Sequence, residues 1–215
     1  MAFSDKIKAI ETKTPIQPEW FYHAFHYKEA LFANMLTEGI KCRKLMTKEF
    51  KKEYPHKGHN GNHYISLSKL ELVSPEYSSF LYYHSKPAFI VNDINPIKCI
   101  CSFDSSIFES TRWPIRYSGF RDEYQEYHQI SPEKLIGLRC SILEWKSGNY
   151  TYYLKSLKQM ILFMKEHNIT LPIYDYTRTC SYNAYLIDQD AYLELYDDMI
   201  KSFDEEKSKQ KVYTP

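Results

Sequence analysis

Three residues on three separate short segments, His23, Tyr64 and Glu123, are the ones whose types could do chemistry together. An imidazole, a phenol and a carboxylate at one groove can bind a polar substrate, stack on a ring and stabilise a developing positive charge. Glu123 stands near the start of an unusual stretch, Arg121 to Gly137, which reads as a strand, a Ser-Pro turn and a second strand. Alternation puts Glu123, Gln125, Tyr127 and Gln129 on one face and Tyr124, Glu126, His128 and Ile130 on the other. Neither set is an ordinary apolar core face, so the strand is expected beside water, a cleft or a ligand. The two carboxylates point opposite ways, and at most one enters a given cleft. Glu123 is the candidate and Glu126 its competitor.

Other chemistries are poorly supplied. His56, His59 and His63 have a ligand-like spacing, but Gly58 and Gly61 break the run and no helix sets its geometry. A solvated loop is the simpler reading, and no metal is expected. Five cysteines (Cys42, Cys99, Cys101, Cys140, Cys180) include no CxxC pair, which fits reduced, mostly buried thiols in a cytoplasmic protein. The six glycines form no Gly-rich loop opening a helix, which excludes Walker and Rossmann chemistry. With a net charge of +1, bulk electrostatics draw the chain to neither nucleic acid nor membrane, and only a local patch could. No apolar run reaches membrane-spanning length and the N-terminus lacks a signal-peptide core, so no membrane partner is expected.

The elements that must position these residues read as follows. Residues 1–19 form an arm in which Pro15 and Pro18 oppose regular structure; residues 20–203 form one domain; residues 204–215 form a charged, frayed tail. A short strand carries His23, and a helix over Lys28 to Glu38 stops at Gly39. Lys41 to Lys57 is a basic, solvated excursion. The strand His63 to Lys69 puts Tyr64, Ser66 and Ser68 on one face and Ile65 and Leu67 on the other. Ser74 to His84 is a Tyr-rich turn or short helix, Ala88 to Val91 a central apolar strand, and Lys98 to Phe103 another strand. A long loop, Asp104 to Phe120, leads into the polar strand, whose partner is Leu135 to Cys140. The helix over Thr151 to His167 shows Leu154, Leu157, Ile161 and Met164 as one stripe and ends at Asn168. A last short strand, Thr170 to Tyr174, and a helix from Asp190 to Phe203 with Asp190 as its N-cap complete an α+β order.

The ordered set Tyr22-His23, Glu38-Gly39-Ile40, Gly61-Asn-His-Tyr64-Ile-Ser66, and Glu123 ahead of Ile130-Ser-Pro and Leu135-Ile-Gly137 is similar to the ADP-ribosyltransferase superfamily. These are NAD-consuming enzymes of the diphtheria-toxin and PARP type. Within the superfamily the chain most resembles the DarT family of base-modifying bacterial toxins. The resemblance runs over residues 20–175 as ordered motifs. It implies a split, mainly antiparallel two-sheet fold with flanking helices, NAD as co-substrate and no metal. It also implies roles. His23 would hydrogen-bond the adenosine ribose; Tyr64 would stack on nicotinamide, with Tyr77 as a second wall; and Ser66, on the strand of Tyr64, would also bind the cofactor. Glu123 would hold the nicotinamide-ribose hydroxyl and activate the acceptor. Cleaving the bond to nicotinamide creates an oxocarbenium-like cation, which a nearby carboxylate stabilises.

The chain also departs from the pattern of that superfamily. DNA-modifying members carry an Arg after the second-strand motif, where this chain has Ser68 and Lys69. Arginine-specific toxins place Glu or Gln two residues before the catalytic Glu; Arg121 stands there, which points away from protein arginine as acceptor. In the loop before Glu123, Arg112, Trp113, Arg116 and Tyr117, continued by Arg121, interleave cations with rings. That composition suits a single-stranded nucleic-acid acceptor, DNA or RNA; it equally suits a loop pinned by buried aromatics. The expectation is a toxin, effector or phage-defence enzyme that transfers ADP-ribose to nucleic acid, with an antitoxin protein as an implied partner. A protein side chain as acceptor, and a non-catalytic binding module, are the alternatives.

Overall fold

A run that is apolar at every position must be covered on both faces, and Ala88, Phe89, Ile90 and Val91 are all 0% exposed. The computed structural model in which they sit describes residues 2–15, 17, 19–53, 63–69, 87–101, 121–140, 142, 150–175 and 183–212. In chain order its elements are α1 (Phe3–Ala9), β1 (Glu11–Pro15), β2 (Phe21–Ala24), α2 (Glu29–Glu38), β3 (Ile40–Lys41), α3 (Lys48–Glu53), β4 (Tyr64–Lys69), β5 (Ala88–Val91), β6 (Ile97–Cys101), β7 (Arg121–Tyr127), β8 (Gln129–Ile130), β9 (Leu135–Cys140), α4 (Tyr150–Glu166), β10 (Ile173–Asp175), β11 (Asn183–Ile187) and α5 (Gln189–Val212). Helices and antiparallel strands are mixed, as the sequence order predicts. The chain divides into two compact units, residues 17–139 and residues 1–16 with 140–215, where the sequence reading runs one domain over 20–203.

The unit 17–139 carries six strands in the order β9-β5-β2-β4-β7-β6 and a small sheet of β3 and β8. The pairings among the six are antiparallel. Phe89 on β5 stacks on Phe25 (centroids 5.0 Å apart) and on Phe32 of α2 (5.6 Å), and Phe25 also stacks on Phe32. That aromatic triple holds α2 against the sheet. Helix α2 ends at Gly39, whose φ of +80° lies where L side chains are strained. A Cβ there would stand 2.0 Å from the Ile130 carbonyl oxygen, so only glycine lets the small sheet close, pairing buried Ile40 with buried Ile130.

The unit formed by residues 1–16 and 140–215 pairs β1 with β11 and β11 with β10, both antiparallel. Leu154, Leu157, Ile161 and Met164 form the expected buried stripe of α4. Asn168, at φ +54°, ends that helix: Ile169 N–H donates to the Met164 carbonyl (2.8 Å) and Asn168 N–H to that of Lys165 (3.2 Å). Buried Tyr192 of α5 donates its hydroxyl to the Leu154 carbonyl at 3.0 Å.

Several expectations are corrected. The N-terminal arm is a helix and a strand: Phe3 and Ile7 are buried, and β1 gains a full ladder with β11, which outweighs the prolines because Pro15 stands at the strand's end. The polar strand β7 pairs with β4 and β6, not with Leu135 to Cys140, which pairs with β5. The excursion after Lys41 includes α3, and Cys42 is buried. Strand β11 was not foreseen. Asp188, not Asp190, caps α5, accepting from the Asp190 and Ala191 amides at 3.0 Å each. Helix α5 runs on through the supposed tail to Val212.

Candidate functional site

The face that carries the candidate residues is set by the register of β4, β7 and β6. Directly opposed residues of an antiparallel pair share a face. Tyr64 stands opposite Tyr127, Ser66 opposite Gln125, and Ser68 opposite Glu123; on the other side of β7, Gln125 pairs with Ile97, Glu123 with Cys99, and Arg121 with Cys101. Tyr22 joins the row of Ser68 and Glu123 from β2. Positions 64, 66, 68 and 123 are therefore brought to one face, as alternation alone requires of the first three. Glu123 is the one carboxylate position on that face of β4, β7 and β6.

The opposite face of β7 turns inward. Tyr124 is buried, pairs with buried Leu67 and packs edge-on against Phe21 at 5.1 Å. The expectation that neither face of this strand is a core face fails at Tyr124: a ring large enough to fill the space beside Leu67 counts as core whatever its hydroxyl does. Glu126 stands opposite buried Ile65, and its Oε1 accepts from the Tyr127 amide at 3.1 Å. The competitor carboxylate thus belongs to the other face and is held by local backbone.

His23 stands where the β2–β4 ladder ends. Among the described residues, β2 pairs with β4 only through Phe21–Lys69 and Tyr22–Ser68, while it follows β5 along its whole length. Beyond Tyr22 the ladder with β4 stops and the His23 side chain spans the gap, with Nδ1 3.0 Å from the Ser66 carbonyl oxygen. A carbonyl only accepts, so Nδ1 carries the proton. Burial lowers the pKa of His23, an effect opposed by this hydrogen bond, so the ring is neutral and Nε2 is left with an acceptor lone pair. By strand phase His23 alternates with Tyr22 and so belongs to the face opposite Tyr64, Ser66 and Glu123; its contact with β4 is with the Ser66 backbone.

At the far end of the face, Tyr64 and Tyr127 meet edge to face with centroids 4.5 Å apart, and their hydroxyls are 3.0 Å apart. Tyr127 remains 47% exposed. His128 then breaks the alternation at φ +63°, donating its amide to the His63 carbonyl (3.0 Å) and offering its own carbonyl to Cys42 N–H (2.7 Å). That residue ends the pairing of the polar strand with β4 and hands the chain to β3, where the Gln129 side chain donates to the Glu38 carbonyl. Tyr127 was not foreseen as a site residue, although alternation already put it on the Glu123 face.

Arg121 opens β7 opposite Cys101. Tyr77, Arg112, Trp113, Arg116 and Tyr117 lie outside the described residues, as do His56, His59 and the loop 104–120. Among the described residues no three His, Cys, Asp or Glu side chains gather to hold a metal ion, and no helix is long and apolar enough to cross a membrane. Compared with known proteins, the chain matches no protein-family model, no curated protein and no solved structure.

Proposed function

We propose that this chain is an NAD-dependent mono-ADP-ribosyltransferase that transfers ADP-ribose to a nucleic acid, DNA or RNA, and releases nicotinamide, acting as a toxin, effector or defence protein. The observation that carries the reading is the β4–β7 register, in which Tyr64, Ser66 and Ser68 share a face with Glu123.

In this reading the substrate's ring rests on Tyr64 and its ribose lies along Ser66 and Ser68 toward Glu123. Neutral His23 accepts a hydrogen bond from a sugar hydroxyl through Nε2, which a protonated ring could not do. The glycosidic C–N bond breaks and its electron pair leaves with nicotinamide. The carboxylate of Glu123 stabilises the cationic sugar carbon, and the acceptor's nucleophilic atom bonds to that carbon while its proton passes to the carboxylate. Tyr77 would be a second ring wall; Arg112, Trp113, Arg116, Tyr117 and Arg121 would serve the acceptor. An antitoxin protein would be the natural partner of such an enzyme.

Incubation with labelled NAD and, separately, DNA, RNA and lysate protein tests the reading. Label on a nucleic acid with nicotinamide release is the expected result. Glu123→Gln should lower the rate about a hundredfold or more, while Glu126→Gln should stay near the original rate. Label on protein alone would move the acceptor, and no release with any acceptor would leave a non-catalytic module.

A further inference from the structure

The segment that runs on from β3 concentrates positive charge. Between Lys41 and Glu53 stand six Lys or Arg residues and two Glu, a net charge of +4. The whole chain is only +1, so everything outside this segment sums to −3. An anionic partner is drawn to this stretch and on average repelled by the rest. The cations are held in place by the backbone. Ile40 pairs with Ile130, buried Cys42 donates its amide to the His128 carbonyl at 2.7 Å, and Leu45 N–H donates to the Cys42 carbonyl at 3.0 Å. Helix α3 is tied to this turn: Lys51 N–H donates to the Thr47 carbonyl (3.0 Å) and Lys51 Nζ to the Lys44 carbonyl (3.2 Å). Lys41 is taken by an ion pair with Glu38, while Lys44 and Lys48 stand exposed. His128 follows Tyr127, so the patch adjoins the Tyr64–Tyr127 end of the candidate face. It lies past the left-handed turn at His128 and does not take the place of the substrate ring on Tyr64.

We propose that the patch around Lys44 and Lys48 binds the phosphate backbone of the nucleic-acid acceptor. This rests on the functional reading above and names what holds the acceptor. A nucleic acid carries a charge at every phosphate, and neutralising those charges releases counterions, so a few fixed ammonium groups bind it without any pocket. Phosphate contacts carry no base information, so the patch sets affinity and register and leaves the choice of base to the site. A membrane surface would ask for an apolar face to insert, and among the described residues Leu45 is the one large apolar side chain exposed in this segment.

The test uses the full chain and short, fluorescently labelled mixed-sequence single strands of DNA and of RNA, with binding read by anisotropy over a salt series. Phosphatidylserine vesicles serve as the membrane arm. The wild type should bind at least one strand, and more weakly as salt rises. The pair Lys44→Gln with Lys48→Gln should weaken strand binding about tenfold or more near ~0.1 M salt and make the slope of log K against log salt shallower by about 1.4. A control pair at exposed lysines of the other unit, Lys155→Gln with Lys201→Gln, changes the net charge equally and should stay within about twofold. Equal losses in the two pairs, no loss in the first, or vesicles bound and no strand bound by the wild type, would each overturn the patch. Melting temperatures of both pairs should match the wild type, since all four side chains are at the surface or half-exposed helix faces. Nicotinamide release by the same wild-type preparation separates the two claims. Release without patch-dependent strand binding sinks the patch and keeps the NAD chemistry; patch-dependent strand binding without release keeps the patch and sinks the NAD chemistry.

Discussion

Strands β5 and β7 belong to the same unit and to the same six-stranded order, yet they are opposites. Strand β5 is covered at every residue, with Phe89 at the centre of an aromatic stack. Strand β7 buries Tyr124 against Leu67 and Phe21 on one face, and on the other reaches the surface at Tyr127. A strand buried on both sides can specify only packing. One covered on a single face can hold its register with that face and leave the other to carry polar groups. The candidate chemistry therefore sits on β7 and its neighbour β4, while β5 and β2 supply the rigidity behind them.

The largest test of this contrast is truncation at matched positions. Phe89→Ala removes a ring from a closed stack and should cost about 3–5 kcal/mol in denaturant unfolding. Tyr127→Ala, on the open face, should cost about 1 kcal/mol or less; equal costs would show that the open face is in truth part of the core.

A smaller effect is expected where the polar strand leaves the large sheet. Gly39→Ala meets both a φ of +80° and the Ile130 carbonyl 2.0 Å from the new Cβ. The conformation alone should cost about 1–3 kcal/mol, and the β3–β8 pairing should loosen, read as faster amide exchange at Ile40 and Ile130. Retained protection would mean that Ile130 is held by β7 and not by the small sheet.

The smallest expected effect concerns His23, which joins the two regions. Its folded pKa lies below the ordinary 6.5, chiefly through burial. Protons therefore bind the unfolded chain more readily. The stability tied to His23 is fully present above pH 6.5 and is lost as the pH falls below it. The melting temperature should drop on acidification, and His23→Asn, whose amide can still donate to the Ser66 carbonyl, should show a shallower drop. Identical slopes in the two proteins would place the acid sensitivity elsewhere.

Some elements were plain in the residues because local chemistry decides them. Gly39 stops α2 because no other residue accepts that turn, the α4 stripe follows the helical period, and the Ile65–Leu67 face follows the strand period. The candidate site was half plain: alternation grouped Tyr64, Ser66 and Ser68, and it put Tyr127 with Glu123. It could not pair the two groups, because the partner of a polar strand is chosen by what covers its other face, and that cover comes from Phe21 and Leu67 far away in the chain.

The sequence by itself determined an α+β chain, its main helices, its apolar central strand and the residues that could act together. Only the tertiary structure decided that β7 lies between β4 and β6, that β9 belongs to β5, that the first residues fold against β11, and that His23 fills a gap in a ladder. The physical reason is that periodicity fixes which side of an element is apolar. Strand partners are settled by long-range burial and by which backbone groups remain to be paired, and neither is written in any local stretch.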